Sequence, residues 1–181
     1  MQLTRRFGEG DKIEIWEFFT GLDDDLEVEM RAAPSGEHGN LPLNKVPERF
    51  LQGFPALRVL NMSGTRIQSL PHSLLQLREL RALLLRDCFF LEELPPLGLL
   101  RRLQVLDLSA TRIRELPEEM DNLINLRQLH LSSTGLKIIR AGNVSKWSSL
   151  EVLDMTLSNY QWGTEEDVEE GQATFEEIGW P

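Results

Sequence analysis

Residues 103–117 read Leu103-Gln104-Val105-Leu106-Asp107-Leu108-Ser109-Ala110-Thr111-Arg112-Ile113-Arg114-Glu115-Leu116-Pro117. Leu106 and Leu108 flank Asp107, an alternation of period two that marks a short strand with one buried face. Leu116-Pro117 ends the extended run, because proline lacks a donor and biases its predecessor away from the helical region. The same phrase recurs along the chain. It opens at Leu57, Leu80, Leu103, Leu126 and Leu150, at intervals of 23, 23, 23 and 24 residues. The first copy carries Leu60, Met62, Thr65, Ile67 and Leu70-Pro71. The second carries Leu83, Leu85 and Cys88, with Leu94-Pro95 one residue later than the spacing demands. The fourth keeps Leu129, Leu131 and Thr134 but has Gly135 and Ile138-Ile139 where the others have a basic residue and Leu-Pro. The fifth keeps Leu153 and Met155.

A constant period in the twenties with this spacing is the signature of a leucine-rich repeat solenoid. The expected fold class is α/β: a right-handed curved array with a parallel sheet on its concave face and short helical or irregular segments on its convex face. Leucines at helical spacing after the Leu-Pro pairs, such as Leu74/Leu77 and Met120/Leu123, predict one or two helical turns over Ser73–Leu77 and Glu118–Leu123. No single copy buries its own leucines, so each depends on its neighbours. The column Thr65, Cys88, Thr111, Thr134 falls where the chain leaves the strand. Small side chains with a donor suit that bend because they can satisfy backbone carbonyls. This gives Cys88, the only cysteine, a structural place rather than that of a nucleophile.

The 181 residues carry a net charge of −10, distributed in blocks. Residues 1–38 sum to −6, residues 39–163 to +3 and residues 164–181 to −7. The expected organisation is a non-repeat segment 1–38, repeats over 39–163, and an acidic tail over 164–181 with the start of a further repeat. In the first segment, Lys12–Phe19 alternates in part and Leu26–Met30 alternates cleanly. A β-hairpin capping the first strand and a disordered arm both fit that pattern. Pro34–Gly39 reads as a linker. Leu43, Val46-Pro47 and Phe50 repeat the outer half of a copy, whose strand half should fall near residues 33–38. One cysteine rules out an internal disulfide and suits a reducing compartment. With no apolar run long enough to span a bilayer and no secretory pattern at the N-terminus, a cytoplasmic location is expected.

Alternation also predicts which side chains line the concave face. One column is Val59, Ala82, Val105, Gln128, Val152. The next is Asn61, Leu84, Asp107, His130, Asp154, and the last is Ser63, Arg86, Ser109, Ser132, Thr156. The expected partner-binding residues are Asn61, Ser63, Leu84, Arg86, Asp107, Ser109, His130, Ser132, Asp154 and Thr156. Asp107, His130 and Asp154 suggest a metal or acid–base cluster on paper. Polar side chains are expected on any solvated sheet face, however, and no oxyanion hole or closed pocket accompanies them. No catalytic residue, cofactor or metal is therefore expected. Outer arginines (Arg66, Arg101, Arg102, Arg112, Arg114) lack the density and aromatic platforms of a nucleic-acid site, so they read as a solvated convex face. Neither nucleic acid nor a membrane is expected as a partner.

The wording of the phrases adds to this. "ERFLQGFPALRVLNMSGTRIQSLP", "LEELPPLGLLRRLQVLDLSATRIRELP" and "WSSLEVLDM" resemble the repeats of plant intracellular disease-resistance proteins, the nucleotide-binding NLR class with an N-terminal coiled coil. The resemblance runs over about residues 39–178. It implies a protein-binding sensor in plant defence. The implied partners are a pathogen effector, a guarded host protein or the switch domain of an NLR. The chain has no phosphate loop, no magnesium-binding acidic strand and no Met-His-Asp motif, so the resemblance implies a truncated sensor module and not nucleotide hydrolysis. The other reading left open is a general intracellular scaffold that bridges signalling proteins without immune specificity.

Overall fold

The computed structural model describes residues 2–7, 11–19, 26–31, 45–117, 119–140, 142–162 and 172–173. Its strands are β1 (Gln2–Phe7), β2 (Asp11–Phe19), β3 (Leu26–Arg31), β4 (Leu57–Asn61), β5 (Ala82–Leu84), β6 (Val105–Asp107), β7 (Gln128–His130) and β8 (Val152–Asp154). They form one sheet in chain order. From β4 to β8 every neighbour is parallel, and the register is constant. Leu60, Leu83, Leu106, Leu129 and Leu153 stand opposite one another. Leu60, Leu83, Leu106 and Leu129 are fully buried. Sealing each such leucine contributes about 1.5–3 kcal/mol, and the next copy is what seals it.

The outer layer follows the same period. Helix α1 (Glu48–Leu51), three 3-10 turns at His72–Gln76, Leu97–Leu99 and Met120–Asn122, and helix α2 (Asn143–Lys146) occupy successive copies. The predicted helical stretches thus close as single 3-10 turns, and Glu118 lies outside the described residues. A proline precedes α1 and the first two 3-10 turns, at Pro47, Pro71 and Pro96. Only eight residues separate Pro71 from Leu80 and Pro117 from Leu126, too few for a longer helix and its two connections. Each return ends in the same pair of backbone bonds. For example, Leu100 N–H donates to Leu97 O at 2.8 Å and Leu103 N–H to Leu100 O at 2.9 Å. Trp147 takes the leucine place in the last return. Its ring is buried, and its indole N–H donates to Met120 O at 2.9 Å.

The turn off each strand has two recurring parts. Thr65, Thr111 and Thr134 are buried, and each hydroxyl donates to the carbonyl three residues back at 2.7–2.8 Å. Cys88 departs from its column. Its thiol reaches Met62 O of the preceding copy at 3.2 Å and lies 3.4 Å from the Thr65 hydroxyl. Burial pushes that thiol up from its ordinary pKa. Just before this column, Gly64, Asp87, Ala110, Ser133 and Leu157 all have positive φ, from 55° to 72°. The first four donate their N–H groups to Arg86, Ser109, Ser132 and Thr156 carbonyls at 2.8–2.9 Å. The left-handed residue turns the chain while keeping its amide on the ladder.

At the N-terminal end, β1, β2 and β3 pair antiparallel, with Phe19 opposite Leu26 and Glu14 opposite Arg31. Strand β3 then runs parallel to β4, with Val28 opposite Leu60. The strand preceding β4 in the sheet is therefore Leu26–Arg31, earlier than the 33–38 position given by counting back one copy. The physical reason is local: Leu26–Met30 alternates, whereas Pro34–Gly39 lacks the apolar alternation a buried strand needs. Residues 33–38 lie outside the described residues.

Candidate interaction surface

The solvent-facing side chains of β4–β8 derive directly from the register. Val59, Ala82, Val105, Gln128 and Val152 lie opposite one another, as do Asn61, Leu84, Asp107, His130 and Asp154. Ser63, Arg86, Ser109, Ser132 and Thr156 come two residues later, where the ladder continues through their carbonyls. Most of these side chains are half-buried, as expected where neighbouring strands crowd in a sheet. Arg86, Val152 and Thr156 are exposed. Ser109 is the exception to the expected exposure. It is only 8% exposed, so its side chain offers a partner little surface.

Three of the candidate residues hold the turn as well as facing outward. Asn61 Oδ1 accepts from Ser63 N–H at 3.0 Å, Asp107 Oδ1 from Ser109 N–H at 2.9 Å, and Asp154 Oδ1 from Thr156 N–H at 3.0 Å. These are side-chain-to-backbone turns across two residues, the habit of Asn and Asp. The Thr156 amide, above all, holds the Asp154 carboxyl below its usual pKa. Leu84 and His130, at the same place in their copies, have no side-chain carboxylate or amide to do this. The sequence does carry a signal for this role, a short acceptor two residues before Ser or Thr in three copies of five. Reading the column for its outward face alone misses it.

His130 Nδ1 lies 4.0 Å from Asp154 Oδ2, too far for a hydrogen bond. Among the described residues, no group of three His, Cys, Asp or Glu side chains is arranged to hold a metal ion. A hollow of about 690 Å³ lies away from the sheet face and is open to solvent. Leu94, Pro96, Leu116, Arg114, Glu115 and Arg140 contribute to its lining. No helix among the described residues is long and apolar enough to cross a membrane.

Ion pairs tie the outer surface across copies: Arg102 to Glu79, Arg127 to Glu151 at 2.6 Å, Arg140 to Glu115 at 2.8 Å, and Lys146 to Asp121 at 2.7 Å. Two backbone N–H groups, of His72 and Ser73, donate to the Glu48 carboxylate at 3.0 Å each and hold its pKa low. The carboxylate of one copy thereby caps the 3-10 turn of the next, whose own leading residue, Pro71, supplies no side-chain cap.

A parallel sheet with period-spaced leucines inside and 3-10 turns outside is the architecture of leucine-rich repeats. Residues 43–170 match the family described as a leucine-rich repeat region, and the chain belongs to it. Its sequence is 52% identical over 143 residues to a disease resistance protein of Arabidopsis thaliana, covering 78% of this chain and 14% of that one. A probable disease resistance protein of the same plant is 52% identical over 141 residues, 77% of this chain and 15% of that one. The chain thus spans about one seventh of the length of these relatives. Among solved structures, the leucine-rich repeat ectodomain of the receptor kinase SOBIR1 from Arabidopsis thaliana superposes with a TM-score of 0.57 at 19% identity. It covers 84% of this chain and 83% of that one, a likeness of fold alone. The leucine-rich repeat domain of the type III effector XopL gives a TM-score of 0.52 at 31% identity, over 62% and 40% of the two chains.

Proposed function

We propose that this chain is a protein-binding module of plant defence that works through the open face of its sheet, without catalysis and in the cytoplasm. One observation carries the reading. Uniform buried columns hold a fixed backbone, while the outward row Asn61, Leu84, Asp107, His130, Asp154 changes its chemistry from strand to strand. A rigid frame with variable outward side chains suits recognition. Five strands about 4.8 Å apart make a platform of roughly 20 Å, enough for part of a standard interface of about 800 Å² per partner. Partner recognition is assigned to residues 39–163, with 1–38 and 164–181 as flanks. Similarity to disease resistance proteins supports a pathogen effector, a guarded host protein or an NLR switch domain as the partner.

The test is affinity capture from plant tissue with the unaltered chain and with Leu84→Asp, which places a charge on the open face. The unaltered chain should recover an effector or a nucleotide-binding switch domain. Leu84→Asp should lose it while melting within about 0.5 kcal/mol of the parent, as surface substitutions do. Recovery of kinases or small GTPases alone, from both proteins equally, would favour a signalling scaffold instead.

A further inference from the structure

The second copy differs from its neighbours in one place. Between Cys88 and Leu94 it holds one residue more than the first copy between Thr65 and Leu70 or the third between Thr111 and Leu116. The return from Leu94 to Leu103 is one residue shorter, so the overall period stays at 23. The extra residue is therefore confined to the edge of the solenoid, and there the sequence is Phe89-Phe90. Both rings face solvent, at 56% and 41% exposure. Exposed large apolar side chains clustered in this way mark interaction sites more often than scattered ones do.

The surroundings give the patch a sign. Arg66 comes directly after Thr65 and Arg112 directly after Thr111, so the copies on either side place arginines where the second places Phe89. The Arg112 guanidinium lies 5.7 Å from the centre of the Phe90 ring, within cation–π range, and Arg112 N–H donates to Leu91 O at 3.0 Å. Arg114 lies two residues further on, and Lys137 of the fourth copy donates its N–H to Arg114 O at 2.8 Å. A side chain beginning at Gly135 would meet the Ile113 and Arg112 carbonyls and the Arg114 side chain at 3.5–3.8 Å. The fourth copy therefore adds no side chain at that point to cover the arginines. Among the described residues, Arg66, Arg112 and Arg114 have no carboxylate partner, whereas Arg102, Arg127, Arg140 and Lys146 each do. The hollow beside them offers Leu94 and Pro96 to an apolar side chain, with Leu116 sealed beneath. Glu92 and Glu93, and Glu115 in its pair with Arg140, also line it and restrict acidic contact to the side of Arg66, Arg112 and Arg114.

We propose that Phe89 and Phe90, with Arg66, Arg112 and Arg114, form a second interaction surface, which docks an acidic protein segment carrying apolar side chains. It lies on the edge of the solenoid, apart from the sheet face. Phe and Arg are among the residue types enriched at interfaces, and Arg at their energetic centres. Unpaired guanidinium groups favour a carboxylate-bearing partner and disfavour a basic one.

The probe is a labelled dodecapeptide of alternating glutamate and leucine, read by fluorescence anisotropy at low salt. The unaltered chain should bind it at least tenfold more tightly than a version with lysine for glutamate or with serine for leucine. The double variant F89S/F90S and the single variant Arg112→Glu should each weaken binding at least tenfold, with unchanged circular-dichroism melts. Leu84→Asp, on the sheet face, should leave it unaltered, which separates this surface from the proposed function. Three results would overturn the proposal: no binding of the acidic–apolar peptide, equal binding by F89S/F90S, or preferential binding of phosphatidylserine vesicles or a single-stranded oligonucleotide lost in the same variants.

Discussion

Leu106 and Leu153 hold the same place in their phrases and on their strands, opposite a leucine of the preceding copy. Leu106 is fully buried, whereas Leu153 is only half-buried, and so is Met155, although its counterparts Leu108 and Leu131 are sealed. Val152 and Leu157 of the same copy are exposed, Leu157 at 82%. The difference lies in the neighbouring strands, not in the residue. Strand β6 has β5 and β7 on its two sides, whereas β8 is flanked among the described residues by β7 alone. Burial in this fold is a property of pairs of copies, and the phrase only makes a copy eligible for it.

The largest effect should come from charging the two leucines. Leu106→Asp places an unpaired carboxylate in a sealed layer, at a cost of several kcal/mol, about the whole stability of a typical domain. Leu153→Asp should cost less than half as much, because its carboxylate can reach water. Urea titration followed by circular dichroism checks this, and equal damage from both would mean that the buried layer does not depend on neighbours.

A smaller pair of substitutions tests the opposite case, strain that is local and owes nothing to neighbours. Ala110 and Leu157 both sit in the left-handed region, at φ 55° and 58°, which costs an L-residue roughly 1–2 kcal/mol. Glycine removes that strain but adds freedom to the unfolded chain. Ala110→Gly and Leu157→Gly should each stabilise the copy they belong to by a net ~0.5–1 kcal/mol. Gly64→Ala should destabilise by about as much. The gain should be similar in the sealed copy and the exposed one, and local opening free energies from hydrogen exchange would show it.

The smallest effect is on pH. The Thr156 amide keeps the Asp154 carboxyl below its ordinary value. With its folded pKa below the unfolded value near 3.9, Asp154 contributes fully above about pH 4 and loses that contribution as pH falls through the lowered value. Asp154→Asn keeps an acceptor for Thr156 and removes the titration. Its melting temperature should fall less than the parent's between about pH 5 and pH 2. An unchanged acid slope would show that the carboxylate does not titrate out of its turn.

The architecture is legible in the sequence because the buried face repeats. Leu60, Leu83, Leu106 and Leu129 are chemically alike, and their spacing alone places them opposite one another. Legibility falls where backbone conformation is not written in residue type. The left-handed column is Gly64, Asp87, Ala110, Ser133 and Leu157, five different residues, so composition gives no sign of it. The turn role of Asn61, Asp107 and Asp154 is hidden for another reason: it shares side chains with the open face, and Leu84 and His130 interrupt it. The burial of Ser109 is not shared by Ser63 or Ser132 at the same place in their copies, so alternation along a strand does not register it. The strand that precedes β4 escapes a count back from Leu57, because Val28 and Leu60, opposite in the sheet, are 32 residues apart and not one period of 23.

The polar contacts between copies have almost constant offsets. Arg127 meets Glu151 24 residues on, Glu115 meets Arg140 25 on, and Glu48 caps the amides of His72 and Ser73 24 and 25 on. A gene recombining with its own copies would add or remove whole units of about this length. Each such exchange would keep the leucine columns and the backbone ladder in register, since these recur in every unit, while the polar pairs would depend on which side chains meet. Diversity in the number of copies is therefore inexpensive for this scaffold. A partner that outgrew one platform could be met by lengthening it.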